Sequence, residues 1–360
     1  MFARRLGFLV LVTAFLAPPG RALAADAQPA PTIPGEALKK LDSTLKLPRR
    51  PKSRQEYVQM LSKQMAELLK LGEQIEKDHA TASNLHLVQI RMLVAADFLV
   101  RSRKADAAEK QRLEIARRLL ASNAPVTSKV TADYFVTLDR VRPGGAAAKD
   151  AAKEIRSFIA RYGKTTEKAA ALVRGVQLTQ RAGEAALGSE LLDTLEKDHA
   201  EKPTVSMFLR SAGRKVPFVA SLTLLDGKKL TLPGDLMGKV VVVDFWATWC
   251  PPCIASLPHM KQLYAKVKDK GVEFVGISLD RAGEKQKVTD FVKQRGLSWL
   301  HAYSGGYWGD PTARKYGINS IPSVWVIGKD GKIFSEKARA DLEGTINRAL
   351  AEPGPKPPTQ

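Results

Sequence analysis

The stretch DFWATWCPPC occupies residues 244–253. It ends a continuous apolar strand, predicted over residues 240–245 and interrupted only by the carboxyl group of Asp244. A helix is predicted to follow Cys253. The sequence therefore places Cys250 at a helix N-terminus, beside the second cysteine of the stretch.

The two cysteines have the spacing of a redox pair. The partial positive charge at the start of a helix stabilises an anion, so Cys250 can lose its proton and attack a disulfide. Cys253, one turn further on, can then resolve the mixed disulfide. A zinc half-site or a purely structural disulfide would use the same residues, but zinc needs two more ligands and the chain has only these two cysteines. We therefore predict Cys250 as the nucleophile and Cys253 as the resolving residue.

From Val216 onwards, short apolar and β-branched runs alternate with helical ones, which predicts an α/β domain over residues 213–351. Besides the strand at 240–245, strands are predicted at 222–225, 230–232, 273–278, 299–303, 323–327 and 333–335, and helices near 284–295, near 311–316 and at the end of the domain. The proline-rich tail at 352–360 is predicted to be disordered.

Residues 53–212 show helical periodicity and predict an all-α domain of helical hairpins or a bundle. Ser53 and Glu56 have the capping-box spacing that opens its first helix. Further helices are predicted at 85–100, 105–122, 126–141, 147–162, 165–182 and 186–199. The sequence EKDHA occurs twice, at 76–80 and 196–200, each time at a helix end. Its Asp-His pairs could bind a metal, but histidine near a helix C-terminus also interacts favourably with the helix dipole, and no metal site is predicted.

The first residues resemble a secretory signal peptide, predicted over residues 1–24. Arg4 and Arg5 precede an apolar run, and Ala22-Leu23-Ala24 forms a small-x-small cleavage site. The alternative is an uncleaved membrane anchor, but the run has about half of the ~20 residues needed to cross a bilayer. Residues 25–52, rich in proline and alanine, are predicted to be a flexible linker. We expect the mature protein to be extracytoplasmic, periplasmic or otherwise secreted, with no stable membrane insertion.

Residues 216–350 resemble the thioredoxin superfamily. The resemblance rests on the stretch at 244–253, on Pro258 in the following helix and on Ile321-Pro322 before a later strand. The leading hairpin, Gly238-Lys239, Tyr316-Gly317-Ile318 and Gly328-Lys329-Asp330-Gly331 resemble the TlpA/ResA type, which comprises extracytoplasmic thiol:disulfide oxidoreductases, usually reducing. The resemblance implies that Pro322 is cis, faces the cysteine pair and lies beside backbone that aligns a substrate chain.

Asp244 lies six residues before Cys250, where thioredoxins carry a buried acid below the cysteine pair. A carboxyl group in an apolar strand holds its proton tightly, so Asp244 can relay the proton of Cys253. The alternative is a strand-end acid that only accepts hydrogen bonds from backbone amides. The predicted substrate-binding residues are Trp249, Pro251, Pro252, Ile321 and Pro322.

The sequence departs from the family pattern in two places. Ser256 stands where cytochrome-maturation members of the ResA group typically have Glu, which weakens the case for haem apoproteins as substrates. Gly276 aligns with the lysine that thioredoxins tend to pair with the buried acid. Pro251 and Pro252 have no amide hydrogen to donate to the Cys250 thiolate, so we expect a thioredoxin-like, reducing potential.

The predicted function is thiol:disulfide exchange with protein substrates and an unidentified electron donor, with no cofactor other than the redox-active disulfide. The formal net charge of +20 is spread over both halves of the chain, which argues against a nucleic-acid partner. A disulfide oxidase or isomerase is an alternative, as is an adaptor whose helical domain binds a partner protein. A peroxidase is not favoured because Thr248 precedes Cys250 by two positions rather than three and the peroxidase proline is absent.

Overall fold

The computed structural model describes residues 31–45, 53–103 and 106–354. The predicted signal peptide and residues 355–360 of the predicted tail lie outside these ranges. The chain divides into two compact units between Leu195 and Glu196. Within the ranges given, no helix combines the length and the apolar character that a membrane crossing requires.

The described residues of the first unit form helices and connecting turns with no strand, which confirms the all-α prediction. Its helices are α1 (Gly35–Ser43), α2 (Arg54–Asp78), α3 (His86–Arg103), α4 (Asp106–Ala121), α5 (Val126–Val141), α6 (Ala151–Tyr162), α7 (Lys168–Ala182) and most of α8 (Ala185–His199). From α2 to α7, each helix packs against the next, so the chain advances as antiparallel hairpins. Ser53 caps α2 as predicted, its hydroxyl accepting from the amide of Glu56 at 3.1 Å.

Helix α1 corrects the prediction of a flexible linker over residues 25–52 for the part from Gly35 to Ser43, while residues 25–30 and 46–52 lie outside the described ranges. Leu41 is fully buried in this helix, and Asp42 forms an ion pair with Arg91 of α3 at 2.6 Å. Leu38 and Leu41 have the i, i+3 spacing that is typical of an amphipathic helix. This spacing was overlooked because the surrounding sequence is rich in alanine and proline.

The second unit has the predicted α/β fold. Its elements are α9 (Pro203–Ser211), β1 (Ala220–Thr223), β2 (Lys229–Leu232), β3 (Val240–Trp246), α10 (Pro251–Val267), β4 (Val272–Ser278), α11 (Lys285–Arg295), β5 (Leu300–Tyr303), α12 (Pro311–Tyr316), β6 (Ser323–Ile327), β7 (Ile333–Ser335) and α13 (Leu342–Ala351). Strands β1 and β2 form the predicted hairpin, and the other five form one sheet in the order β5-β4-β3-β6-β7. Strands β3, β4 and β5 are parallel, while β6 runs antiparallel to β3 and to β7.

Strand β3 lies at the centre of this sheet, and all seven of its residues are buried. On one face, Val240 and Val242 belong to a core formed with apolar residues of α10 and α13. On the opposite face, Phe245 and Trp325 pack near Phe218. Burial on both faces explains why β3 is almost continuously apolar, and it makes Asp244 an exception.

Helix α9 was not predicted, and it lies in the second unit rather than the first. The guanidinium of Arg210 in α9 lies 5.2 Å from the ring centroid of Trp325 and 5.5 Å from that of Tyr316. Along the chain, the boundary between the two compact units lies before α9, whereas the change of sequence pattern placed it at residue 212.

Candidate active site

The two cysteines lie where the central strand β3 gives way to α10. Cys250 is the N-cap residue of α10, and it forms a disulfide with Cys253. Both are buried, with 3% and 1% of their surface exposed. The amide of Cys253 donates to the Cys250 sulfur at 3.2 Å. This sulfur therefore has a backbone donor at the third helical position, while Pro251 and Pro252 can supply none at the first two.

The turn that carries the cysteines is fixed by Asp280, a residue that sequence reasoning missed. Its carboxylate accepts from the hydroxyl of Thr248 at 2.5 Å and from the amide of the same residue at 3.1 Å. It also accepts from the hydroxyl of Ser278 at 2.7 Å. Asp280 lies two residues beyond the end of β4, and the carboxyl ends of the parallel neighbours β3 and β4 meet at one edge of the sheet. This position was the sequence signal that could have identified Asp280.

Asp244 is buried in β3, as predicted, with 6% of its surface exposed. Burial raises its pKa to about 7, and the positive charge of Arg339 opposes that rise. Among the described residues no group hydrogen-bonds to its Oδ1 atom. The alternative interpretation, in which Asp244 only accepts hydrogen bonds from backbone amides, is therefore not supported for the Oδ1 atom. Its part in catalysis stays a prediction.

Gly276 pairs with Asp244 across β3 and β4. A Cβ atom at Gly276 would lie 2.8 Å from Nδ1 of His301 and 2.9 Å from Nε1 of Trp246. The space over this glycine is thus occupied by two rings. Burial lowers the pKa of His301 to about 3, so the imidazole is neutral near pH 7.

The Ile321–Pro322 peptide bond is cis, as the family resemblance implied. Ser323, the next residue, pairs with Phe245 near the end of β3, so the proline lies at the same end of the sheet as the cysteine turn. Ile321 and Pro322 are both half-buried. The register brings Pro322 into the region of the redox pair, and alignment of a substrate there stays a prediction.

Trp249 presents an aromatic surface next to Cys250. It is 37% exposed, and its indole nitrogen donates to the carbonyl of Leu279 at 3.2 Å. Its ring centroid lies 5.3 Å from that of Tyr307 and 6.1 Å from that of Trp308, two residues that sequence reasoning missed. Tyr307 has a positive φ of 51° and lies under the guanidinium of Arg281. These contacts fix the aromatic surface in place.

Comparison with known proteins assigns this unit to a family. The Redoxin family model matches residues 211–351. The thiol-disulfide oxidoreductase ResA of Bacillus thuringiensis is 38% identical over 141 residues, which are 38% of this chain and 77% of that protein. The chain belongs to the ResA thiol-disulfide oxidoreductases.

Two other proteins also show similarity to this chain. The ResA of Oceanobacillus iheyensis is 40% identical over 101 residues, 28% of this chain and 49% of that protein. A solved thiol-disulfide oxidoreductase from Bacteroides fragilis is 26% identical with a TM-score of 0.33, covering 36% of this chain and 96% of that one. The ResA assignment concerns the second unit, because the family match begins at residue 211.

The ResA-type unit carries a hydroxyl at the position where the cytochrome-maturation members typically have Glu. Ser256 is half-buried in α10, and its hydroxyl donates to the carbonyl of Cys253 at 2.7 Å. Ser256 therefore supplies a hydroxyl, hydrogen-bonded within α10, and not a carboxylate near Cys250 and Cys253. The role of Asp244 as the proton acceptor of this ResA domain stays a prediction.

Proposed function

We propose that this protein reduces disulfide bonds of protein substrates through Cys250 and Cys253, outside the cytoplasm. The observation that supports this most is the position of the Cys250 sulfur, at the N-cap of α10 with the amide of Cys253 directed at it. A helix start and an amide donor both favour the thiolate, the reactive form of cysteine. The proposed site joins this pair to Asp244, Pro322 and the aromatic surface of Trp249.

The proposed cycle moves two electrons from the reduced pair to the substrate. The Cys250 thiolate attacks one sulfur of the substrate disulfide, forms a mixed disulfide with it and releases the other sulfur as a thiolate. Asp244 accepts the proton of the Cys253 thiol, and the Cys253 thiolate then attacks the Cys250 sulfur. This step releases the second substrate thiolate and closes the Cys250–Cys253 disulfide. A dithiol donor returns the two electrons, and no metal or organic cofactor enters the cycle.

The proposed reducing direction is supported by the hydrogen bonds available to the thiolate. Two of the first three amides of α10 are missing because Pro251 and Pro252 have no N–H, and Cys253 supplies the third. Strong oxidants stabilise the reduced form through a very acidic thiol, which requires abundant stabilisation of the thiolate. A single amide donor favours a less acidic thiol and a lower potential.

The location and the partners are proposed from the sequence. The basic start, apolar run and small-x-small site of residues 1–24 have the pattern of an export signal. A periplasmic or otherwise extracytoplasmic compartment is also where protein disulfides form and need reduction or exchange. The helical unit is proposed to bind a partner protein.

The experiment that tests the proposed function is an equilibrium titration of the cysteine pair in a defined thiol buffer, read by tryptophan fluorescence. A potential near that of thioredoxin, about −270 mV, supports a reductase. A value near that of DsbA, about −120 mV, contradicts the reducing direction and favours an oxidase or isomerase. Absence of a redox transition contradicts the proposal as a whole.

A trapping experiment tests the roles of the two cysteines. Cys253→Ala should accumulate mixed disulfides with substrate proteins, because Cys250 can attack but cannot be resolved. Cys250→Ala is the matched control and should trap none. Recovery of the same proteins with both variants would favour the adaptor function, in which capture is independent of the thiol.

A further inference from the structure

A depression of about 490 Å³ opens beside the cis-proline. It is lined by Pro322, Ser323 and Val324 at the start of β6, and by Glu336, Lys337, Arg339 and Ala340 after β7. Strand β7 pairs with Val326 and Ile327 of β6 and ends at Ser335. On this side of β6, therefore, no described strand pairs with the residues that line the depression.

The depression is cationic. Lys337 and Arg339 are exposed, and neither forms an ion pair within the part of the chain that the structure describes. The neighbouring acids are already paired: Glu336 with Arg210 at 3.2 Å, and Asp341 with Arg348 at 3.0 Å. The two positive charges at the rim are therefore not neutralised by an ion pair with either of these neighbouring acids.

The charge of Arg339 also acts on the buried acid of the site. The positive charge of this guanidinium opposes the effect of burial on the pKa of Asp244. Asp244 pairs with Val324, which lines the depression, in the register of β3 and β6. The depression thus borders the site of thiol exchange.

We infer that this depression, here called the cationic pocket, binds an acidic side chain that the protein substrate carries close to its reacting cysteine. The inference rests on the proposed function, in which the substrate chain passes along Pro322. An extended segment at the open edge of β6 would place a neighbouring Glu or Asp against Lys337 and Arg339. A carboxylate fits this pocket because Arg offers planar, bidentate donors and Lys a mobile ammonium group. Substrates with an acid beside the cysteine are therefore preferred.

The test uses short peptides whose single cysteine is joined to thionitrobenzoate as a mixed disulfide. The peptides are identical except that the residues flanking the cysteine are Glu, Gln or Lys. Attack by Cys250 of the reduced protein on the peptide sulfur joins the peptide to Cys250 and releases the thionitrobenzoate thiolate, whose absorbance gives the second-order rate constant. The Glu peptide should react about fivefold faster than the Gln peptide, as expected for one or two exposed ion pairs. The ratio should fall towards one at high salt.

Charge variants of the full-length protein separate the pocket from the general charge of the molecule. Arg339→Gln and Lys337→Gln should each lower the Glu/Gln rate ratio, and the double variant Lys337→Glu/Arg339→Glu should favour the Lys peptide. Lys270→Gln removes the same charge at an exposed position after α10 and should keep the wild-type ratio. Equal rates for the Glu and Gln peptides, or an equal loss of preference in Lys270→Gln, would overturn the inference. Failure of the wild-type protein to react with any peptide would instead contradict the proposed function.

Discussion

Replacement of Asp244 by Asn should stabilise the oxidised protein, and the gain should depend on pH. The carboxyl group is buried and its Oδ1 atom has no partner among the described residues, so ionisation places a poorly compensated charge in the sheet. Asn has nearly the same shape and carries no charge. The substitution therefore isolates the cost of ionising this one group.

The magnitude follows from the pKa of Asp244, which rises from 3.8 to about 7 on folding. Because the folded value is the higher one, folding is favoured by this group at low pH, and that contribution is lost as the pH rises from the unfolded to the folded pKa. The rise corresponds to about 4 kcal/mol. The free energy of unfolding of the Asp244→Asn protein should thus be higher than that of the wild type by up to about 4 kcal/mol above pH 8. Near pH 4 the difference should be under about 1 kcal/mol.

Guanidinium unfolding followed by tryptophan fluorescence measures this difference in the full-length chain. All five tryptophans lie in the second unit, at positions 246, 249, 299, 308 and 325, so the signal reports the unit that contains Asp244. The titration should be repeated across the range from about pH 4 to pH 9 with the disulfide intact. The m value should not change, since the same surface is exposed in both proteins.

Asp269→Asn is the matched control, because Asp269 is exposed in the short turn after α10. It removes the same charge but should change stability by less than about 0.5 kcal/mol at every pH. An Asp244→Asn protein that is no more stable than the wild type at pH 8 would refute the reasoning. So would a stabilisation of equal size at pH 4 and pH 8.

Three further predictions concern the frame of the site. Asp280→Ala removes the acceptor of the Thr248 amide and hydroxyl, so the free energy of unfolding should fall by about 2–4 kcal/mol. An unchanged free energy of unfolding would mean that other contacts fix the turn. Gly276→Ala should lower the free energy of unfolding by about 1–3 kcal/mol, because the added methyl group meets the imidazole ring of His301. Adding His301→Ala to this variant should recover part of the lost stability. Trp249→Ala should abolish most of the fluorescence change that accompanies reduction, while the potential measured by thiol alkylation stays within about 30 mV of the wild type; an unaltered signal would assign it to another tryptophan.

Much of the second unit could be predicted because its signals are local. The strands at 323–327 and 333–335 have the predicted bounds, since alternation and the turn at Asp330-Gly331 fix them within a few residues. The cysteine pair and Asp244 share one continuous stretch, so their relation needed no tertiary information. Helix α1 was missed because its apolar stripe is short and lies in a proline-rich region.

The residues that were missed in the site come from elsewhere in the chain. Asp280, Tyr307 and Arg339 meet the cysteine turn or Asp244 only through the packing of the sheet, from positions 27 or more residues after Cys253. Neither periodicity nor a short motif encodes such contacts. The charge at Arg339, in particular, acts on Asp244 from a turn that looks like an ordinary polar connection in the sequence.

The two titratable groups beside Gly276 have exchanged their ordinary order of acidity. In a free peptide at pH 5, an aspartate is ionised and a histidine carries the proton. In this sheet the pKa of Asp244 is about 7 and that of His301 is about 3, so at pH 5 the acid keeps the proton and the base is bare. The number of protons is the same, but a zwitterion has become a neutral pair. Neither group therefore carries a charge at pH 5, and Asp244 ionises only near neutrality, where thiol exchange needs a base.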